Sequence, residues 1–255
     1  MKQTKTPLVV GNWKMHPATL AEAKELFVDV RKATRRIDGV TVVVAPPAIF
    51  MTDVSRLSPS GRIGISAQNV WPGITGAHTG EVSASMLVSA GATYTIIGHS
   101  ERRANGEDND LVAEKVAAAH KAKLTPILCV GEAERDESGQ YFALIEAQLS
   151  SAFAACKKAE IARTVIAYEP IWAIGSGTTP SANDIYEMRL FIEKCLSKLT
   201  DRTTAKKVAI LYGGSVTDSN AAELFTGGDV RGFLVGGASL HAKQFAGIVK
   251  AVQQT

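Results

Sequence analysis

The 255-residue sequence predicts an α/β protein in which eight parallel strands close into a (β/α)8 barrel with helices around it. Three observations carry that expectation. Short β-branched and apolar runs alternate with longer stretches at helical spacing, which argues for a parallel sheet. The strand runs are continuously apolar, so both of their faces should be buried. About eight such units in roughly 250 residues is the size of a closed barrel. An open doubly wound sheet would carry a G-x-G-x-x-G turn after its first strand, and VVGNWKM is not one. No linker, low-complexity run or composition shift divides the chain, so residues 1–255 read as one barrel domain.

The first strand is expected at Leu8–Gly11, followed by a helix over Ala18–Arg36. The second, Thr41–Ala45, runs into Pro46 and Pro47, which leave the next helix poorly signalled. Ile63–Ala67 is the third strand, with a helix at Ser83–Ala90 after it. Tyr94–Ile97 is the fourth, and Asp108 is a plausible N-cap ahead of a helix at Leu111–Lys123. The fifth strand, Pro126–Val130, precedes a helix over Gln140–Lys158. The sixth, Thr164–Tyr168, precedes Ala182–Leu199, which Ser181 can cap. Val208–Tyr212 leads to Asn220–Phe225, and Gly232–Val235 leads to Leu240–Gln253.

The composition is that of an ordinary globular protein, with 45% hydrophobic and 21% charged residues. A net charge of +3 from 28 basic and 25 acidic residues, without basic runs, argues against a nucleic-acid binder. A weakly basic pI of 8.7 suits a small anionic substrate. Cys129, Cys156 and Cys195 have neither metal-ligand nor redox spacing, which fits a reducing compartment. His16, His78, His120 and His241 likewise show no metal spacing, and no metal site or cofactor is expected. The first 15 residues do not read as a signal peptide, and no apolar stretch is long enough to span a bilayer, so a cytoplasmic protein without a membrane partner is expected.

In a parallel barrel, polar residues just past the strand ends collect at one mouth. Asn12 and Lys14 follow the first strand, His99 and Glu101 the fourth, Glu169 the sixth, Gly213-Gly214-Ser215 the seventh, and Gly236-Gly237 the eighth. Pro170 forces Glu169 into extended backbone, and Trp172 could desolvate it, which would make the carboxylate a better base. A glutamate at a strand end can equally be solvated, and from this stretch alone the two readings stand level. His99 sits where a helix begins, and the positive helix end opposes protonation of the imidazole. A lone histidine is more often structural. A lysine such as Lys14 is usually surface, and only its place in the mouth marks it as a source of positive charge for an anion. A glycine pair after one strand is commonly a turn. After each of the last two barrel strands it frees backbone N–H groups for a phosphate.

Together the motifs GNWKM, GHSERR, YEPIWAIGSG, YGGSV and GFLVGGASL resemble the triosephosphate isomerase family, in the same order and over essentially the whole chain. The resemblance implies a TIM barrel that interconverts dihydroxyacetone phosphate and D-glyceraldehyde 3-phosphate without a cofactor. It implies Glu169 as the base, neutral His99 as the electrophile, and Lys14 with Asn12 lining the site. Glu101 would support Lys14, and the backbone of Gly175, Ser215, Gly236 and Gly237 would hold the phosphate. PIWAIGSGTTP would be the lid that excludes water and presses Glu169 against Ile174 and Leu234. The family also implies a homodimer, in which the Thr75–Glu81 loop enters the neighbouring subunit. There Thr79 would approach the partner's site and Glu81 would pair with the neighbour's copy of Arg102.

Some positions depart from the family pattern. The hinge Thr178-Thr179-Pro180 is about two residues short, and Pro180 has no N–H to offer Tyr212. His16 replaces an asparagine and His78 an aromatic residue, and ANGEDND after Arg103 is shortened and lacks an aromatic. Two other readings would keep the barrel. One is an epimerase for larger phosphates, against which the lid and bulky mouth argue. The other is a non-catalytic scaffold, which should have lost a catalytic residue, and none is missing.

Overall fold

A computed structural model describes residues 6–58, 61–173 and 180–253. Its strands are β1 (Leu8–Asn12), β2 (Thr41–Ala45), β3 (Ile63–Ala67), β4 (Tyr94–Ile97), β5 (Thr125–Val130), β6 (Val165–Tyr168), β7 (Ala209–Tyr212) and β8 (Gly232–Val235). Each pairs in parallel with the next, and β8 closes onto β1 with Leu8 opposite Gly232 and Val10 opposite Leu234. The expected closed (β/α)8 barrel is therefore the observed fold. None of the helices among the described residues is long and apolar enough to cross a membrane.

The two-residue period of the strands divides the core. Val10, Val43, Ile96, Ile127, Cys129, Ala167, Leu211 and Leu234 fill the barrel interior as one cluster. Their neighbours Val9, Val44, Ile97, Leu128, Tyr168, Tyr212 and Phe233 pack outward with helical residues such as Phe27, Val112, Leu149, Ile192 and Phe245. Extending the inward period past the strand ends reaches Glu169 from Ala167, Gly213 from Leu211 and Gly236 from Leu234. The mouth is thus the continuation of the interior.

Local signals set most helix ends. Thr19 and Glu22 form a capping box that starts the helix Leu20–Thr34, and Asp108 caps Asn109–Lys121. Ser181 and Asp184 do the same for Ala182–Leu199, the range expected from sequence. The poorly signalled helix after β2 does form, as a turn at Ala48–Phe50 running into Met51–Arg56. Pro46 and Pro47 precede it, where a missing N–H costs little. The expected helix over Gln140–Lys158 is corrected: it ends at Ala152, and Lys158–Ile161 forms a separate turn. Phe153 leaves helical geometry and is buried against the core. No glycine or proline marks that break.

Beneath the mouth lies a buried charge network. Glu107 is almost inaccessible, and its Oε1 accepts the Gly98 N–H at 2.9 Å. Its Oε2 accepts from Arg102 Nε at 3.0 Å and from the ammonium of Lys115, which is fully buried and also reaches Asn69 Oδ1 at 2.8 Å. Burial alone would raise the Glu107 pKa, but hydrogen bonds from Lys115, Arg102 and Gly98 with the Lys115 charge more than offset it and the net shift is downward. A lowered carboxyl pKa favours the native state above the ordinary value of 4.5, and that contribution is lost as pH falls toward the native value. Lys115→Met removes the main partner of a buried carboxylate. It should cost about 3–5 kcal/mol in urea unfolding at neutral pH, with the difference from the parent shrinking below pH 4.5.

Candidate active site

The end of β6 places Glu169 by backbone geometry. Its N–H donates to Val130 O at 2.8 Å, and its carbonyl lies against Gly131, where a Cβ would fall 1.8 Å from the oxygen. Gly131 is held in turn by Gln148, whose amide accepts from its N–H and donates to its carbonyl, both at 3.0 Å. The Glu169 side chain is 3% exposed. Oε2 accepts the Ser100 N–H at 2.9 Å, and Oε1 lies 3.1 Å from His99 Nε2. Burial raises the Glu169 pKa, partly offset by the electrostatic influence of His99, by hydrogen bonds from the Ser100 backbone and hydroxyl, and by the Cys129 thiol.

The indole N–H of Trp172, the residue the sequence offered for drying this carboxylate, is taken by Glu132. Trp172 Nε1 donates to Glu132 Oε1 at 2.9 Å, alongside the Tyr168 hydroxyl at 2.7 Å and Arg135 Nε at 3.1 Å. The Arg135 guanidinium stacks 5.2 Å from the Trp172 ring and reaches Asp184 at 3.0 Å. Glu132 and Arg135 were missed because nothing in GEAERDE sets them apart from a solvated loop. Gly213 forms part of the wall around this carboxylate, for a Cβ there would lie 3.1 Å from Glu169 Cγ.

His99 is the N-cap of the short helix Ser100–Ala104, and its Nδ1 accepts the Glu101 N–H at 3.2 Å. A nitrogen that accepts carries no proton, so the hydrogen sits on Nε2, the atom facing Glu169. Lys14 has φ of +53° and donates its N–H to Asn12 Oδ1 at 3.0 Å. Its ammonium meets Glu101 Oε1 at 2.6 Å. Burial pushes the Glu101 pKa up, but the Lys14 hydrogen bond and charge bring it below the ordinary value. Gln68, another residue the sequence did not flag, donates both amide hydrogens, to Lys14 O at 2.8 Å and Ala45 O at 2.7 Å.

Asn12, Lys14, His99, Glu169, Ser215, Gly236 and Gly237 line one cavity of about 180 Å³. Glu101 stands behind Lys14 in an adjoining hollow. Gly175, also expected in the site, lies outside the described residues, as does Ile174, expected in a lid. Leu234 lines the same cavity. On the glycine side a Cβ on Gly214 would fall 2.2 Å from the Tyr212 hydroxyl, so only glycine lets that turn lie flat on the ring. Gly236 leads into the turn Gly237–Leu240, and the Ser239 hydroxyl donates to Gly236 O at 2.6 Å. The cavity thus brings a carboxylate, an imidazole and an ammonium together with glycine-rich backbone, Gly213 lying against Glu169 and Gly236 against Lys14.

Barrel enzymes are assembled in this way, from strand-end loops that meet over a packed interior, and this chain is one of them. Comparison with known proteins narrows the class. The family model for triosephosphate isomerase matches residues 7–252. A triosephosphate isomerase of Xanthomonas campestris pv. campestris (strain 8004) is 46% identical over 246 residues, covering 96% of this chain and 97% of that protein. One of Serratia proteamaculans (strain 568) is 43% identical over 247 residues, covering 96% of each. The chain belongs to the triosephosphate isomerase family.

Because a Cβ on Gly131 would collide with the Glu169 carbonyl, Gly131→Ala should move the carboxylate by a sizeable fraction of an ångström. Steady-state kinetics on the folded fraction should show turnover reduced about 100-fold.

Proposed function

We propose that this chain interconverts dihydroxyacetone phosphate and D-glyceraldehyde 3-phosphate through an enediolate, with no metal or organic cofactor. The observation that carries the reading is the placement of a buried carboxylate of raised pKa 3.1 Å from a histidine Nε2 that bears a proton. Glu169 takes a proton from the carbon beside the carbonyl and returns it to the neighbouring carbon. To do so it exchanges its bonds from Ser100 N–H and His99 for contact with substrate. His99 then donates Nε2–H to the substrate oxygen on which negative charge develops. Nδ1 stays tied to the Glu101 N–H throughout.

Lys14 adds positive charge beside that oxygen, oriented by Glu101 and by the Asn12 and Gln68 contacts on its backbone. The phosphate takes backbone N–H groups of Ser215, Gly236 and Gly237, with Gly175 joining from the lid. A cavity of about 180 Å³ favours a triose phosphate over larger sugar phosphates. Closure of the lid completes the dry site, so that an enediolate is protonated before it can expel phosphate.

Two copies assemble through the Thr75–Glu81 loop. That loop is solvent-exposed, with Glu81 partly covered at its base, and exposed apolar side chains Met15, Ile49, Ile74 and Met86 need a cover that a second copy provides. The three cysteines are free, in keeping with a cytosolic setting.

A coupled isomerase assay tests the reading. Glu169→Gln should lower kcat about 10²–10⁴-fold with an unchanged circular dichroism spectrum, and parent-like turnover would rule out this base. Because the base must be ionised and its pKa is raised, kcat/KM should begin to fall at a pH above the ordinary glutamate value of 4.5. Light scattering at micromolar protein should report a dimer, and Ile74→Asp with Met86→Asp should shift it toward monomer. A fully active parent monomer would overturn the assembly.

A further inference from the structure

The strand period alone does not aim His99 at the mouth. Along β4, Ile96 belongs to the interior and Ile97 to the helix-facing layer, so continued extended backbone would send Gly98 inward and His99 outward. His99 nevertheless meets Glu169 across the mouth. The change of direction is made at Gly98, whose φ is +71°. A glycine permits that conformation without enforcing it, and something else must hold it.

Both polar backbone atoms of Gly98 are gripped by charged side chains from the segment that follows. Its N–H donates to Glu107 Oε1 at 2.9 Å, and its carbonyl accepts from Arg103 Nε at 2.9 Å. Arg103 is itself anchored, with Nη1 donating to Asn109 Oδ1 at 2.8 Å. Its Nη2 packs 3.1 Å from where a Gly98 Cβ would sit, beside Cys129 O at 3.2 Å. The Arg103 N–H also donates to His99 O at 3.0 Å, so one residue holds the carbonyls on both sides of the histidine.

We propose that Arg103 is a positioning residue, whose guanidinium, working against Glu107, locks the Gly98 turn and thereby fixes the direction of His99 Nε2. Arg103 does not line the cavity and makes no hydrogen bond to Glu169; its guanidinium bonds the Gly98 carbonyl, and its charge is felt at Glu169 only through space. With the lock released, Gly98 regains the freedom of an exposed glycine, and His99 loses its fixed bearing on the reacting oxygen. Arg103 bonds Gly98, Asn109 and His99 and none of Ser215, Gly236 and Gly237, on which the phosphate is proposed to rest, so the loss should fall on kcat and spare KM.

This inference rests on the role given to His99 above, and its test separates the two. Arg103→Met should lower kcat about 100-fold with KM within about threefold of the parent. The His99 ring nitrogen shifts in 15N NMR should move toward those of an imidazole exchanging between tautomers. Arg103→Lys keeps the charge but cannot serve Gly98 and Asn109 together. It should recover part of the loss, to about a tenth of parent kcat, and it decides the matter if Arg103→Met does not fold. Parent-like kcat in the folded variants, or a loss confined to KM or to melting temperature, overturns the proposal. So do His99 shifts identical to the parent's. Absence of isomerase activity in the parent would defeat the functional reading alone, because the nitrogen shifts still report whether Arg103 positions His99.

Discussion

A carboxylate kept out of water is the constraint on which the rest of the molecule turns. Glu169 is fully enclosed, and burial disfavours its charged form. A backbone N–H, a histidine and a thiol, brought to it from β5 and the turn after β4, offset part of that penalty. No local structure could deliver that set. It requires strands distant in sequence to end at the same level, which barrel closure enforces through the register of each parallel pair.

The groups that serve Glu169 are themselves held from below. Glu107 stands at the centre, taking the Gly98 N–H, Arg102 and the buried Lys115 at once. Asn69, reached through Lys115, ties the loop after β3 into the same network. On the other flank, Gln68 fixes the carbonyls of Lys14 and Ala45, so the turn carrying the ammonium is locked to two strands. Glu132 does the same for Trp172 in the turn after β6. Glu107, Gln68 and Glu132 are each a buried or half-buried polar side chain with two or more partners. Fixing such groups before substrate arrives removes reorganisation from the reaction itself.

What could be read without coordinates has a common character. The apolar, two-periodic strand runs, the helix at Ala182–Leu199 with its serine cap, and the strand-end positions of Asn12, Lys14, His99, Glu169, Ser215, Gly236 and Gly237 are all local features. Side-chain period and turn chemistry are set by neighbours in the chain, so a single sequence displays them. The break at Phe153 escaped because it is decided by where an aromatic ring finds the core, and no local residue marks it.

The sequence by itself determined the eight-unit alternation, the mouth and the kinds of chemical group that gather there. Only the tertiary structure decided who holds them: that the Trp172 indole N–H goes to Glu132, and that Gln68 secures the Lys14 turn. It alone showed that Arg103 and Glu107 grip the peptide that aims His99. Several of these partners lie 40 to 54 positions apart in the chain. Others sit within ten residues in a loop whose path is fixed only once the barrel has closed. A polar side chain's partner is chosen by burial and direction in the closed fold, and neither quantity exists until the strands have met.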